Sequence, residues 1–159
     1  MKLSNIIRAN KVNVNLGRWQ TGHVPKSSFP MSKLRAKNWK FGQEYKSRIV
    51  SFDAAGYKCR IWLLLNEKKS IYRARFGVEL NGDMVVLCDH EFHSSEPGWH
   101  CHLCNDAIDT IEPGVARSHT LRWPQHEHLC SLKNFNVSEV NALSEAATRF
   151  RFNAQGSLL

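Results

Sequence analysis

The feature that most constrains the fold is an alternating segment that runs into an Asn-Gly pair. Ile71–Leu80 reads IYRARFGVEL, in which every second residue, beginning with Tyr72, is apolar. Alternation of this kind is typical of a half-buried strand. Asn81-Gly82 is a strong signal for a tight turn, and residues 84–93 follow as a second apolar strand. The sequence therefore predicts an antiparallel hairpin at the centre of the chain.

The register of this hairpin decides how its acidic residues are interpreted. A three-residue loop brings the apolar faces of the two strands together, whereas a shift of one residue would turn one strand over. In this register Arg75 lies opposite Asp89, and Arg73 lies opposite Glu91. Because opposite charges at paired positions attract, we interpret both carboxylates as cross-strand partners of arginine.

Two more strand-like segments precede the hairpin, and a helical segment follows it. SRIVSF (47–52) and YKCRIWLLL (57–65) are apolar runs bounded by turn residues. Near the C-terminus, Asn136 is placed as a helix N-cap with Glu139 three residues later. We predict an α+β fold: an antiparallel β-meander of about four strands, a C-terminal helix, and a zinc-knuckle ββα-like unit.

The predicted zinc unit rests on the spacing of cysteines and histidines. Cys101 and Cys104 form a C-x-x-C pair among five cysteines, an odd number that shows no disulfide framework. Pro124 suits the first turn of a helix, which would place His126 and Cys130 one turn apart on one face.

Two thiolates followed by a helix-borne pair are the ligand set of a closed tetrahedral zinc site, and thiolates favour zinc over harder ions. We therefore predict a structural Zn²⁺ within residues 99–132. Its predicted ligands are Cys101, Cys104, His126 and Cys130. His128 and His119 are alternatives to His126 as the third ligand.

A second cluster of histidines surrounds the cysteine pair. His100 and His102 flank Cys101 and, on an extended chain, point to the face opposite it. Together with His93 and Glu96 they could bind a second divalent metal ion, or act as acid and base. We therefore treat His100 and His102 as candidate catalytic residues.

Residues 99–134 also resemble, in outline, the HNH-type nucleases. The segments CHLC, SHTLRWP and EHLCSLKN are similar to a zinc knuckle near a ββα unit whose histidine activates water against a phosphate. The resemblance implies that His119 is the catalytic base and His128 a ligand of the catalytic metal. Two departures weaken it: Ser118 stands where the family usually has an acid or a second histidine, and only Cys130 occupies the region of the second cysteine pair.

Positive charge is concentrated at the N-terminal end of the chain. Residues 1–46 contain ten Lys and Arg and one acid, a net +9 against +8 for the whole chain. Aromatic residues lie among these cations, and cations that meet phosphates beside rings that stack on bases are typical of nucleic-acid contact. We predict a basic arm over 1–46 and a single α+β domain over 47–159. The predicted contact residues are Arg18, Trp19, Lys33, Arg35, Lys37, Trp39 and Lys40.

These observations predict a small zinc-stabilised protein that binds nucleic acid through its basic arm. One alternative is a metal-dependent nuclease or other hydrolase that uses the histidine cluster. Another is an interaction protein whose arm grips an acidic protein partner or a second copy of the chain.

The longest apolar run, IWLLL (61–65), is far below the roughly 18 residues of a membrane span. The cysteine usage predicts a reducing compartment, the cytoplasm.

Overall fold

The computed structural model describes residues 1–34, 39–40, 42–93, 95–111, 120–123 and 134–155. In chain order their helices and strands are α1 (Leu3–Arg8), β1 (Lys11–Asn15), β2 (His23–Val24), β3 (Trp39–Lys40), β4 (Lys46–Ala54), β5 (Tyr57–Asn66), β6 (Ile71–Leu80), β7 (Asp83–His93), β8 (Glu96–Cys104), β9 (Thr120–Trp123) and α2 (Ala142–Phe150). Short 3-10 turns cover Lys26–Ser28 and Ile108–Thr110. Neither α-helix within these ranges has the length and apolar character that a membrane crossing requires.

Most of these strands form one antiparallel sheet of seven, in the order β1-β4-β5-β6-β7-β8-β9. The predicted fold class is therefore wrong, because a meander of about four strands is only part of this sheet. The zinc-knuckle ββα-like unit is wrong as well, because Cys101 and Cys104 lie within the extended strand β8. The alternation in WHCHLC, which we interpreted as a ligand pattern, has the two-residue period of a strand.

The β6–β7 hairpin confirms the predicted pairing of Arg75 with Asp89 and of Arg73 with Glu91. The predicted loop length is wrong: Leu80 pairs with Asp83, so that the loop contains only Asn81 and Gly82. Both loop residues have positive φ, 53° and 76°, as a type I′ turn requires. A bulge after Phe76 adds one residue to β7 and restores the predicted register beyond it.

One face of the sheet packs against the two helices. Phe76 of β6 stacks on Phe150 of α2 with ring centroids 5.3 Å apart, and Leu3 and Ile6 of α1 belong to the same buried cluster. We call this the helix face. The predicted start of the C-terminal helix is wrong, because its N-cap is Asn141 and not Asn136. Val140 therefore lies before the helix, where it is exposed, while Ala142, Ala146 and Phe150 form the buried side of α2.

The opposite face, which we call the open face, is covered at one end by the N-terminal segment. Val24, Phe29 and Met31 pack there against Trp62, Leu64 and Val86 in a second buried cluster. Gly77 permits this close approach, because a Cβ at that position would lie 2.2 Å from the Pro30 carbonyl oxygen. The basic segment 1–46 thus contributes α1, the three strands β1, β2 and β3, and part of both cores.

Candidate metal centre

Three potential metal ligands meet on the open face of strands β7 and β8. Glu91 pairs directly with His100 across the two strands, and Asp89 pairs with His102. Because alternate residues of a strand share a face, these pairings bring Glu91, His100 and His102 to the same side. At the end of this strand pair, His93 pairs with Glu96. The neighbouring residue His90 points to the helix face, where it contacts Arg149 of α2.

The ligand atoms are spaced as a small metal ion requires. Oε1 of Glu91 lies 3.2 Å from Nε2 of His102 and 3.6 Å from Nε2 of His100. One ligand atom from each residue lies within 4.8 Å of the others. Around a tetrahedral zinc ion with bonds of about 2.0–2.1 Å, neighbouring ligand atoms are roughly 3.3 Å apart. The measured Oε1–Nε2 distances lie on either side of that value.

The orientation of His100 is fixed by its second ring nitrogen. Nδ1 lies 3.0 Å from the carbonyl oxygen of Gly98, and since a carbonyl can only accept, Nδ1 carries the proton. Nε2 lies on the side of the Glu91 carboxylate, to which it donates a hydrogen bond when it carries a proton and beside which it offers a lone pair when the ring is neutral. Two lone pairs at that position repel each other unless a proton or a cation lies between them. Donation of the other ring N–H to a carbonyl is the usual arrangement of a metal-binding histidine.

Glu91 uses its two oxygens differently. Oε2 accepts hydrogen bonds from Nη2 and Nε of Arg73, at 2.8 and 2.9 Å, while Oε1 faces the histidines. Burial disfavours the charged carboxylate, but the hydrogen bond from His100 and the charge of Arg73 outweigh it and hold the pKa of Glu91 well below its ordinary value. Glu91 is therefore ionised, the form in which a carboxylate binds a metal ion.

A cavity of about 320 Å³ opens beside Glu91. Its wall includes Tyr45, Leu64, Arg73, Glu91 and His93. The ring of His93 lies 5.0 Å from that of His100, and its Nδ1 is 2.8 Å from the Ser95 hydroxyl oxygen. The volume lies within the range of small-molecule sites, roughly 300–1,000 Å³, so the cluster has space for a substrate next to it.

The cysteines of the predicted zinc site have different neighbours in the structure. Cys101 and Cys104 are buried free thiols. The Cys88 thiol hydrogen-bonds the Cys101 sulfur, which lowers the pKa of Cys101 although burial opposes this, whereas burial raises the pKa of Cys104. Among the described residues the ligand cluster contains neither Cys101 nor Cys104. The predicted partners His126 and Cys130 lie outside the described residues, so this zinc site stays a prediction.

Other predicted site residues can be placed only in part. His119, His128, Arg35 and Lys37 lie outside the described residues, and Trp39 and Lys40 are described only as the backbone of β3. Of the remaining predicted nucleic-acid contacts, Arg18 is exposed, Trp19 lies against the Arg48 guanidinium, and Lys33 sits at the β6–β7 turn. The described members of that set therefore lie at two separate places.

Sequence reasoning missed Glu91 as a member of the cluster and named Glu96 in its place. Of Glu96 the structure describes the backbone, which pairs with His93. The missed signal is a spacing: Glu91 and His93 are two residues apart, and so are His100 and His102. Two strands paired over these residues would bring all four side chains to one face. A hairpin closed there places Glu91 opposite His100. Glu91 was interpreted only as the ion-pair partner of Arg73, and no further role was considered. Arg73 contacts only Oε2, so that Oε1 remains directed at the histidines.

The chain was compared with protein-family models, with curated proteins and with solved structures, and none of the three comparisons gives a match.

Proposed function

We propose that this protein is a metal-dependent hydrolase whose centre, formed by Glu91, His100 and His102, binds one divalent ion, with Zn²⁺ as the first candidate. The observation that carries the proposal is the spacing of the three ligand atoms, 3.2 and 3.6 Å from Oε1 of Glu91. Two histidines and one glutamate are a ligand set of catalytic zinc, in which the fourth position is left to water. The cavity beside Glu91 supports the proposal, because it gives that fourth position access to a substrate.

The chemistry assigned to each residue follows from its position. A bound Zn²⁺ lowers the pKa of its water to about 7, so that a hydroxide forms at neutral pH. The ion would thereby supply a nucleophile for attack on a carbonyl carbon or a phosphorus atom. His93 lines the same cavity, where it would accept the proton that this water loses and return it to the leaving atom as the bond to the leaving group breaks. Arg73 holds Oε2 of Glu91, so that Oε1 remains directed at the ion.

Metal binding tests the centre before any substrate is known. Protein freed of metal with a chelator is titrated with Zn²⁺ and with Co²⁺, whose absorption reports tetrahedral coordination. We expect His102→Ala to lose one bound ion while keeping its fold, because His102 is partly exposed, at 19% of its side-chain surface. An equal number of tightly bound ions in the parent protein and in His102→Ala would exclude this centre.

Activity is tested on labelled DNA, labelled RNA and simple esters with Zn²⁺, Mn²⁺ or Mg²⁺ added in turn. We expect His93→Ala to keep the ion and to lose turnover, whereas His102→Ala loses both. This matched pair separates proton transfer from metal binding. Turnover that survives in His102→Ala would show that the activity belongs to another site or to a contaminant.

The structural zinc predicted at Cys101, Cys104, His126 and Cys130 is a separate proposal. We expect Cys104→Ser to lose one zinc ion and to be destabilised, because a structural zinc contributes folding free energy directly. Cys59→Ser is the matched control, since Cys59 is a buried thiol of β5 far from the predicted ligands in sequence. Equal zinc content in the parent and in Cys104→Ser would contradict this proposal.

A second candidate function is nucleic-acid binding by the basic segment 1–46, supported by its net charge of +9. Deletion of the segment is not a clean test, because Leu3, Ile6 and Phe29 are buried in the cores. We propose Arg18→Gln with Lys33→Gln, two exposed positions, against Lys58→Gln with Lys68→Gln as the control. The first pair should weaken binding to DNA or RNA and lower its salt dependence. If both pairs behave alike, an acidic protein partner becomes the better explanation of the charge.

A further inference from the structure

A second cavity lies on the helix face, between α1, α2 and β7. Its volume is about 500 Å³. Its polar wall comes from Ser4 and Arg8 of α1, His90 of β7, and Glu145, Arg149 and Arg151 at α2. His90 and Glu91 are neighbours in β7 and face opposite ways, so this cavity and the metal centre lie on opposite sides of one strand.

The wall of this cavity has an excess of positive charge. Arg8, Arg149 and Arg151 face a single acidic side chain, Glu145. None of the three guanidinium groups forms an ion pair with a carboxylate of the described residues. Basic residues in the last turn of a helix are stabilised by the helix dipole, which explains Arg8 and Arg149 singly. It does not explain why cations from two helices converge on one cavity.

One of these arginines is held in place by a buried histidine. Nη2 of Arg149 lies 3.4 Å from Nε2 of His90, and because a guanidinium can only donate, Nε2 accepts this contact. His90 is 4% exposed, and its ring lies 5.1 Å from Trp99 and 5.8 Å from Tyr72, measured between centroids. The imidazole is thus enclosed, and its Nε2 gives the exposed Arg149 guanidinium a contact at the cavity wall.

We propose that this cavity binds a phosphate group, carried by a small molecule or by the backbone of a nucleic acid. Guanidinium groups bind phosphate oxygens in pairs, with fixed geometry and charge assistance. The three arginines and Glu145 sum to two positive charges, which match the charge of a phosphate monoester. The cavity volume falls within the range of small-ligand sites, roughly 300–1,000 Å³. This site does not depend on the metal centre or on its proposed chemistry.

The test uses the full chain and calorimetric titration at low salt with three probes: inorganic phosphate, a nucleoside monophosphate, and a single-stranded oligonucleotide. The variant is Arg149→Gln with Arg151→Gln, and the control, Lys58→Gln with Lys68→Gln, removes the same charge from exposed positions elsewhere. We expect saturable binding of at least one probe by the parent protein. The variant should bind that probe at least about tenfold more weakly, and the control within about twofold of the parent.

The probe that binds identifies the source of the phosphate. Binding of inorganic phosphate or the monophosphate assigns the site to a small molecule, and binding of the oligonucleotide alone assigns it to a nucleic-acid backbone. Thermal melting of each variant checks the fold. If the double variant does not fold, Arg8→Gln tests the same cavity from the other helix. The proposal is overturned if no probe saturates, or if the variant and the control bind equally.

Discussion

The open face of the sheet contains two cross-strand ion pairs that are equivalent in the sequence and different in the structure. In one row Asp89 uses both carboxylate oxygens on Arg75, with Oδ1 2.7 Å from Nε and Oδ2 2.9 Å from Nη2. In the next row Glu91 gives only Oε2 to Arg73. Its Oε1 faces two histidines.

The two rows show what separates a structural ion pair from a candidate site. Both acids are buried, at 1% and 4% exposure, so burial does not distinguish them. The difference lies in the oxygen that the arginine leaves free, and in the residues that meet it. An isolated buried charge would be costly. Among the described residues, Oε1 of Glu91 lies within reach of two further side chains that can bind a metal ion.

The largest effect is expected for Asp89→Asn. The change leaves the Arg75 guanidinium, which is 11% exposed, without its bidentate partner. Breaking a buried pair by neutralising one member costs about 3–5 kcal/mol. Urea unfolding of the parent and the variant measures the difference. A loss below about 1 kcal/mol, the cost typical of surface changes, would show that this row does not hold the sheet together.

The matched change in the other row, Glu91→Gln, should cost less in the metal-free protein. Arg73 is 28% exposed and can regain water when its partner is neutralised. The main loss should appear with metal: zinc at one hundred times its dissociation constant stabilises a one-site protein by about 2.7 kcal/mol. We expect this gain in the parent and in folded Asp89→Asn, and a zinc gain smaller by this amount in Glu91→Gln. The same zinc gain in Glu91→Gln would make the two rows equivalent.

Arg73→Gln tests whether the arginine orients the metal ligand. The change leaves Glu91 itself intact and removes only the guanidinium that holds its Oε2. Loss of the contact to Oε2 should weaken zinc binding by about 10- to 100-fold, as for other groups that orient a metal ligand. Lys69→Gln is a suitable control, since its ion pair with Glu44 is exposed. Affinity that is unchanged in Arg73→Gln would mean that the arginine holds the fold and does not orient Glu91.

The sequence predicted the Arg–acid pairing in both rows correctly, but it predicted the wrong loop length for the turn. Each outcome has a physical reason. Alternation sets which residues face each other far from the turn, and it placed Arg75 and Arg73 opposite their acids. A two-residue loop followed by a bulge gives the same distant register as a three-residue loop, so alternation alone cannot separate them.

The second half of the site was hidden for a related reason. His100 and His102 were predicted as candidate residues, but β8 itself was interpreted as a zinc knuckle because its cysteines have ligand spacing. With residues 99–104 interpreted as a knuckle, no strand was predicted beside β7, and the pairing of Glu91 with His100 was therefore not predicted. The contact of His100 with Gly98 depends on the local backbone, and no residue pattern signals it.

The smallest effect is expected at a third carboxylate, Asp83, which provides a partly exposed reference for the two buried rows. Burial is the largest single influence and opposes the charge of Asp83. Hydrogen bonds from the Ser32 hydroxyl and from the backbone N–H groups of Lys33 and Met84 together outweigh it and lower the pKa of Asp83 below its ordinary value. A carboxyl group with a lowered pKa adds stability above its unfolded value of about 3.9, and this stability is lost as the pH falls through the folded value.

We therefore expect Asp83→Asn to cost less than about 1 kcal/mol near neutral pH. Because the parent loses the contribution of the charged group in acid, the difference should shrink below about pH 3.9. Unfolding free energies of both proteins, measured from neutral pH down to the lowest pH at which both still fold, test this directly. A difference that stays constant over the whole range would mean that Asp83 acts through its shape and hydrogen bonds and not through its charge. The reference for the two buried rows would then have to be a different exposed acid.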